Sequence, residues 1–121
     1  MVDRVKERLL HIQQAIQKIR DMLAGRSLEE VARDPVIQAA FERFLEIISE
    51  AARHVPEQLT TRSSQEIPWR RIRDLGNRLR HEYQRVDPQI LWSVYENDLD
   101  PLEKAVDAML AAHAGSQGGA S

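Results

Sequence analysis

The stretch IPWRRIRDLGNRLRHEY, residues 67–83, decides how the rest of the chain is interpreted. Pro68 favours a helix start, because the N–H that proline lacks would have no partner in the first helical turn. At about 100° per residue, Ile72, Leu75 and Leu79 fall on one face of this helix. The opposite face carries polar side chains, which are Arg70, Asp74, Asn77, Arg78 and His81. The stretch therefore predicts an amphipathic helix from Pro68 to about Tyr83, with one face for a core and one face open to a ligand.

The remaining chain also has helical periodicity, and no segment alternates as a strand would. In the first predicted helix, apolar residues recur at spacings of four and three, which is typical of shallow-angle helix packing. They are Val5, Leu9, Ile12, Ile16, Ile19 and Leu23. Asp-Pro pairs at 34–35, 87–88 and 100–101 each predict a helix start, with Asp as N-cap and Pro at the first position. We expect an all-α, up-and-down bundle of four to five helices over residues 1–113, followed by a disordered tail over 114–121.

Composition narrows the class of protein. The chain has 121 residues, a formal net charge of −2 at pH 7 and no cysteine, which excludes disulfides and cysteine-type zinc sites. No apolar run approaches the roughly 20 residues that span a bilayer, and the N-terminal residues lack the apolar region of a secretory signal. These features predict one domain in the cytoplasm with no membrane association.

Charge is unevenly distributed along the chain. Six arginines and only two acidic residues lie between Trp69 and Arg85. Guanidinium groups suit forked contacts with phosphate or carboxylate. GC-rich codon usage, however, also produces an excess of arginine. The excess therefore indicates either a surface for an anionic partner or composition alone.

His81 is the residue on the polar face that could carry chemistry. The four histidines, at 11, 54, 81 and 113, lie in different predicted helices without the spacing of metal ligands, so we expect neither a metal nor another cofactor. An imidazole can exchange protons near neutral pH, Asn77 one turn earlier could orient it, and Arg78 could neutralise a phosphate. These groups suffice for metal-free RNA cleavage, in which the substrate's own 2′-hydroxyl attacks. The alternative is a solvated basic face with an ordinary histidine.

Several separated motifs follow one another in an order that resembles the HepT-like family of HEPN domains. They are IPWR at 67–70, GNRLRHEY at 76–83, RVDP at 85–88, ILW at 90–92 and DLDPL at 98–102. The resemblance extends from the first helix to about Leu110. It implies a helical homodimer with an RNA-cleaving cleft between its subunits, acting as the toxin of a toxin–antitoxin pair. The implied antitoxin is a minimal nucleotidyltransferase.

The resemblance also implies roles for particular residues. His81 and Tyr83 match the family's His-x-Tyr motif, which makes His81 catalytic and Tyr83 the residue that accepts AMP from the nucleotidyltransferase. The family's catalytic arginine directly precedes the asparagine, but Gly76 stands there in this chain.

The motif arginine therefore has no direct counterpart. Arg73, Arg78 or Arg80 could supply the guanidinium, Arg78 having the best angular match to His81, and Arg70 lies on the same polar face. The alternative is a non-catalytic adaptor that binds a nucleotidyltransferase and presents its substrate. Trp69 and Trp92 either anchor a dimer interface or complete the core of the monomer.

Overall fold

The computed structural model describes residues 4–56, 69–81 and 86–119, with side chains as far as residue 112. Within these ranges the chain is helical and contains no strand, which confirms the all-α bundle. The helices are α1 (Arg4–Leu23), α2 (Leu28–Arg33), α3 (Pro35–Arg53), α4 (Trp69–His81), α5 (Pro88–Ser93) and α6 (Leu99–Gly119), with a π-helical turn at Val94–Asp98. The prediction of disorder for 114–121 stays a prediction.

Local capping signals start and stop the helices as the sequence indicates. Asp34 Oδ1 accepts hydrogen bonds from two amides of the first turn of α3, at 3.0 and 3.2 Å. Asp87 caps α5 at 2.9 Å, and Ser27 Oγ caps α2 at 3.2 Å. After α1, Gly25 takes a φ of +75°, a left-handed conformation that favours glycine.

The core forms where α1 packs against α3 and α6, and α4 packs on the other side of α3. The apolar seam of α1 is buried from Leu9 to Leu23, with Ile12, Ile16 and Ile19 fully inaccessible to solvent, and Val5 is partly buried. Phe41 and Ile48 of α3 are equally buried. Because α3 touches helices on two sides, it fixes the position of α4 in the bundle.

The third Asp-Pro pair does not begin a new helix, contrary to the prediction. Helix α5, the π-helical turn and α6 are continuous, so Pro101 lies in the first turn of α6. The amide of Leu99 bonds the carbonyl of Val94, five residues back, which widens the helix just before the proline. Tertiary packing of Leu99 and Leu102, both fully buried, holds this continuous path.

The two tryptophans occupy different environments. Trp69 is 5% exposed and belongs to the core of the monomer. Trp92 is half-buried, and its ring centroid lies 5.0 Å from that of Tyr95. No helix in the described ranges is long and apolar enough to cross a membrane.

Candidate active site on the fourth helix

Helix α4 is amphipathic in the predicted orientation. Trp69, Ile72, Leu75 and Gly76 are buried. The predicted polar set is exposed to solvent, namely Arg70, Asp74, Asn77, Arg78 and His81. The structure therefore places the candidate residues on one outward surface.

His81 is the last residue of α4 and its side chain is exposed. Asn77 precedes it by four residues and Arg78 by three, and such neighbours on a helix have Cβ atoms roughly 5–6 Å apart. An amide and a guanidinium can therefore act on a group bound at the imidazole. This arrangement can hold an anionic group and exchange a proton with a neighbouring hydroxyl.

Arg73 is directed away from that surface. Its Nη2 donates to the carbonyl oxygens of Ala52 and Val55, at 3.1 and 3.4 Å. These carbonyls lie at and just after the C-terminal end of α3, where partial negative charge attracts a cation. In this arrangement Arg73 joins α4 to α3.

Gly76 lies where α4 passes very close to α3. A Cβ built on Gly76 would overlap both Oγ and Cβ of Ser49, a side chain with no solvent exposure. The Ser49 hydroxyl in turn donates to the carbonyl of Arg73 at 3.4 Å. A larger side chain at position 76 therefore has no room unless the two helices separate.

Arg80 is half-buried and extends along this same contact. Its Nη1 lies 3.3 Å from the position that a Cβ on Gly76 would take, and 3.7 Å from Oε2 of Glu50. Glu50 also contacts His54 and Arg53, each at 3.2 Å. The hydrogen bond from His54, followed by the charges of the two arginines, lowers the pKa of Glu50 despite some opposing desolvation. Arg80 is thus part of an ion-pair network that binds α4 to α3.

A cleft of about 210 Å³ opens beside the polar face of α4. It lies between α4 and the segment formed by α5 and the π-helical turn. Its walls are Arg71, Asp74, Leu75, Arg78, Ile90 and Val94. The cleft therefore extends the surface that carries His81.

A buried carboxylate orients one wall of this cleft. Asp98, 4% exposed, lies in the π-helical turn, and its Oδ2 is 3.4 Å from Nη2 of Arg71. Burial raises the pKa of Asp98, and the charge of Arg71 partly offsets that rise. The Arg71 side chain as a whole nevertheless remains 63% exposed.

Arg71 and Asp98 are the residues that sequence reasoning missed. Arg71 precedes Asp74 by three residues and Arg78 by seven, which places all three on the same helical surface. That spacing could have identified Arg71 from the sequence. Asp98 carries no such signal, because its contact with Arg71 spans 27 positions along the chain and depends on the tertiary structure.

Two other predictions concern Tyr83 and the absence of a metal site. Tyr83 lies outside them, so its position relative to His81 stays a prediction. Within the described ranges, no group of three or more histidine, aspartate or glutamate side chains could hold a metal ion.

Comparison with known proteins gives a consistent match. The family model described as "Ribonuclease HepT-like" matches residues 12–109. A protein of Caldanaerobacter subterraneus subsp. tengcongensis named "Putative RNase TTE0752" is 35% identical over 84% of this chain and 90% of its own length. A Thermococcus cleftensis protein named "Probable ribonuclease HepT" is 34% identical over 81% of this chain and 88% of its own. No solved structure matches.

Proposed function

The chain belongs to the HepT-like ribonuclease family, and from that premise we propose that it is a metal-independent endoribonuclease acting at the exposed face of α4. The observation that supports this most directly is the exposure of His81, Asn77 and Arg78 together at the C-terminal end of that helix. Their side chains offer a proton acceptor, an orienting amide and a cation. Cleavage of RNA needs these three functions and no metal, because the substrate carries its own nucleophile.

In the proposed reaction, the 2′-hydroxyl of a ribose attacks the adjacent phosphorus. Its proton passes to the His81 imidazole, and the bond from phosphorus to the 5′-oxygen breaks. The 5′-oxygen leaves with a proton, and the phosphorus closes a cyclic 2′,3′-phosphate. Asn77 fixes the plane of the imidazole, and Arg78 stabilises the negative charge that builds on the phosphoryl oxygens. Arg70 lies on the same surface as a further phosphate contact.

The proposed active unit is a homodimer whose two α4 surfaces face a shared cleft. One imidazole then accepts the proton of the 2′-hydroxyl while the partner subunit's imidazole donates one to the leaving oxygen. Sedimentation at micromolar concentration tests this point, and a monomer that still cleaves RNA would contradict it.

We further propose that the protein is the toxin of a toxin–antitoxin pair neutralised by a minimal nucleotidyltransferase. Transfer of AMP from ATP to the Tyr83 hydroxyl joins the tyrosine oxygen to the α-phosphorus and releases pyrophosphate. The added phosphate lies two residues from His81 in the sequence and competes with RNA for nearby arginines. Intact mass after co-expression tests this, since each transfer adds one adenylate and Tyr83→Phe prevents it.

The nuclease activity is tested with purified protein, fluorescently labelled RNA and a chelator. The unsubstituted protein is expected to cleave the RNA in the presence of the chelator. The His81→Ala variant is expected not to cleave it. His11→Ala is a matched control, because His11 is half-buried on α1, a helix that packs mainly against α3 and α6. RNA that stays intact with the unsubstituted protein, or full activity in His81→Ala, would overturn the proposal.

The second candidate function is a non-catalytic adaptor for a nucleotidyltransferase. Gly76 favours it, because the helix contact at Ser49 leaves no room for the family's arginine at that position. On this hypothesis the exposed arginines bind the partner, and His81→Ala weakens co-purification with it while RNA stays intact throughout. Co-purification and RNA cleavage measured on the same variant separate the two functions.

A further inference from the structure

Among the residues that line the cleft between α4 and the α5–π segment, Arg78 alone has a role in the reaction described above. We propose that the cleft binds one base of a single-stranded RNA beside the phosphodiester at His81, and that Asp74 favours a base with an exocyclic amino group. This inference rests on the part of the proposed function that has RNA bind to the α4 surface.

The size and walls of the cleft suit a single base. Its volume, about 210 Å³, is below the roughly 300–1,000 Å³ of pockets that enclose whole ligands. Leu75, Val94 and Ile90 give it an apolar wall. Ile90 is 38% exposed, so covering it with a flat ring removes apolar surface from water.

Two guanidinium groups border the same cleft. Asp98 holds Arg71 from beneath at 3.4 Å while leaving most of the Arg71 side chain exposed. Arg78 lies seven residues, or two helical turns, further along the same face. Guanidinium planes stack on unpaired RNA bases and also bind phosphate, so both arginines suit a nucleotide.

Asp74 supplies the discriminating group. A carboxylate accepts hydrogen bonds without donating any, so Asp74 favours the amino group of cytosine, adenine or guanine. Uracil presents a carbonyl oxygen where cytosine presents its amino group, and two acceptors repel each other. The cleft should therefore disfavour uracil.

The cleft is also continuous with the proposed reaction site. Arg78 borders the cleft and precedes His81 by three residues, which is about 4.5 Å along the helix axis. A strand whose phosphate lies at His81 therefore has a neighbouring base within reach of the cleft.

Binding is measured by fluorescence anisotropy at one fixed ionic strength, with labelled tetranucleotides of 2′-O-methylcytidine and 2′-O-methyluridine. The methyl group blocks the nucleophile, so binding is separated from cleavage. We expect the cytidine probe to bind about fivefold more tightly than the uridine probe, the scale of one base-specific contact. Asp74→Asn should bring this ratio close to one, because an amide both donates and accepts. Asp21→Asn, an exposed aspartate on α1, should leave the ratio unchanged.

Ile90→Ser tests the apolar wall. It should weaken both probes by roughly threefold to tenfold, whereas Val36→Ser should change neither, since Val36 is 77% exposed and does not line the cleft. Circular dichroism confirms that each variant is folded.

The outcomes separate this inference from the nuclease proposal. Equal affinity for both probes, no binding of either probe, or binding unaffected by Ile90→Ser overturns the base site even if the unmodified RNA is cleaved. A cytidine preference that Asp74→Asn removes supports the base site, including the case in which RNA stays intact and the nuclease proposal fails.

Discussion

The contact between Gly76 and Ser49 makes a quantitative prediction about stability. Gly76→Ala adds one methyl group, and on an exposed helix this change stabilises by about 1 kcal/mol. Here the new Cβ overlaps two atoms of a fully buried side chain. Overpacking of this kind costs about 1–3 kcal/mol.

The Ser49 hydroxyl adds to the expected loss. Separation of the helices, or rotation of the serine, breaks its hydrogen bond to the carbonyl of Arg73, which is worth about 0.5–1.5 kcal/mol. We therefore expect Gly76→Ala to lower the free energy of unfolding by about 1–3 kcal/mol, which corresponds to a fall in Tm of roughly 5–15 °C. Urea denaturation followed by far-UV circular dichroism measures the change.

A double variant provides the control. Ser49→Gly removes the obstructing side chain, so Gly76→Ala should destabilise that background much less than it destabilises the natural chain. The expected coupling energy is about 1–2 kcal/mol. Gly76→Arg should likewise lower stability without raising RNA cleavage. A Gly76→Ala protein at least as stable as the natural one, or the same loss in both backgrounds, would refute the close approach of α3 and α4.

Three further predictions follow from the contacts of α4 with its neighbours. Arg73→Ala should lower the free energy of unfolding by about 1–3 kcal/mol, because two carbonyls at the end of α3 lose a charged donor; urea denaturation that shows no change would contradict this. Glu50→Gln should destabilise by up to about 1 kcal/mol near neutral pH. Since the pKa of Glu50 is lowered in the folded protein, its contribution is present above pH 4.5 and lost as the pH falls through the folded pKa, so the difference should vanish in acid. The pKa of Asp98 is raised in the folded protein, so folding favours its protonated form, and the natural chain loses stability as the pH rises from about 3.8 towards neutral. The Asp98→Asn variant lacks this loss and should therefore become more stable relative to the natural chain over the same range. Denaturation curves across this range check the sign, and a difference that does not vary with pH would contradict the burial of a charge.

The sequence by itself determined the helical class, the capped starts of α3 and α5, and the outward face of α4. These features depend on residues within about four positions of one another, where hydrogen bonding and helical periodicity act directly. The orientation of Asn77 and His81 followed from the same spacing. The third Asp-Pro pair shows the limit, because buried leucines on either side of Pro101 kept the helix continuous where the local signal favoured a break.

Only the tertiary structure decided how the arginines of α4 are used. Arg73 and Arg80 were candidates for the missing guanidinium together with Arg78, yet the structure has both of them contact α3. Arg71 faces a cleft and pairs with a buried aspartate. The partners of Arg71, Arg73 and Arg80 lie roughly 20–30 positions away in the chain. Helical periodicity gives the direction in which a side chain leaves its own helix, but packing decides which other helix it contacts. For the same reason, the role of Gly76 in the contact with Ser49 could not be inferred from the sequence.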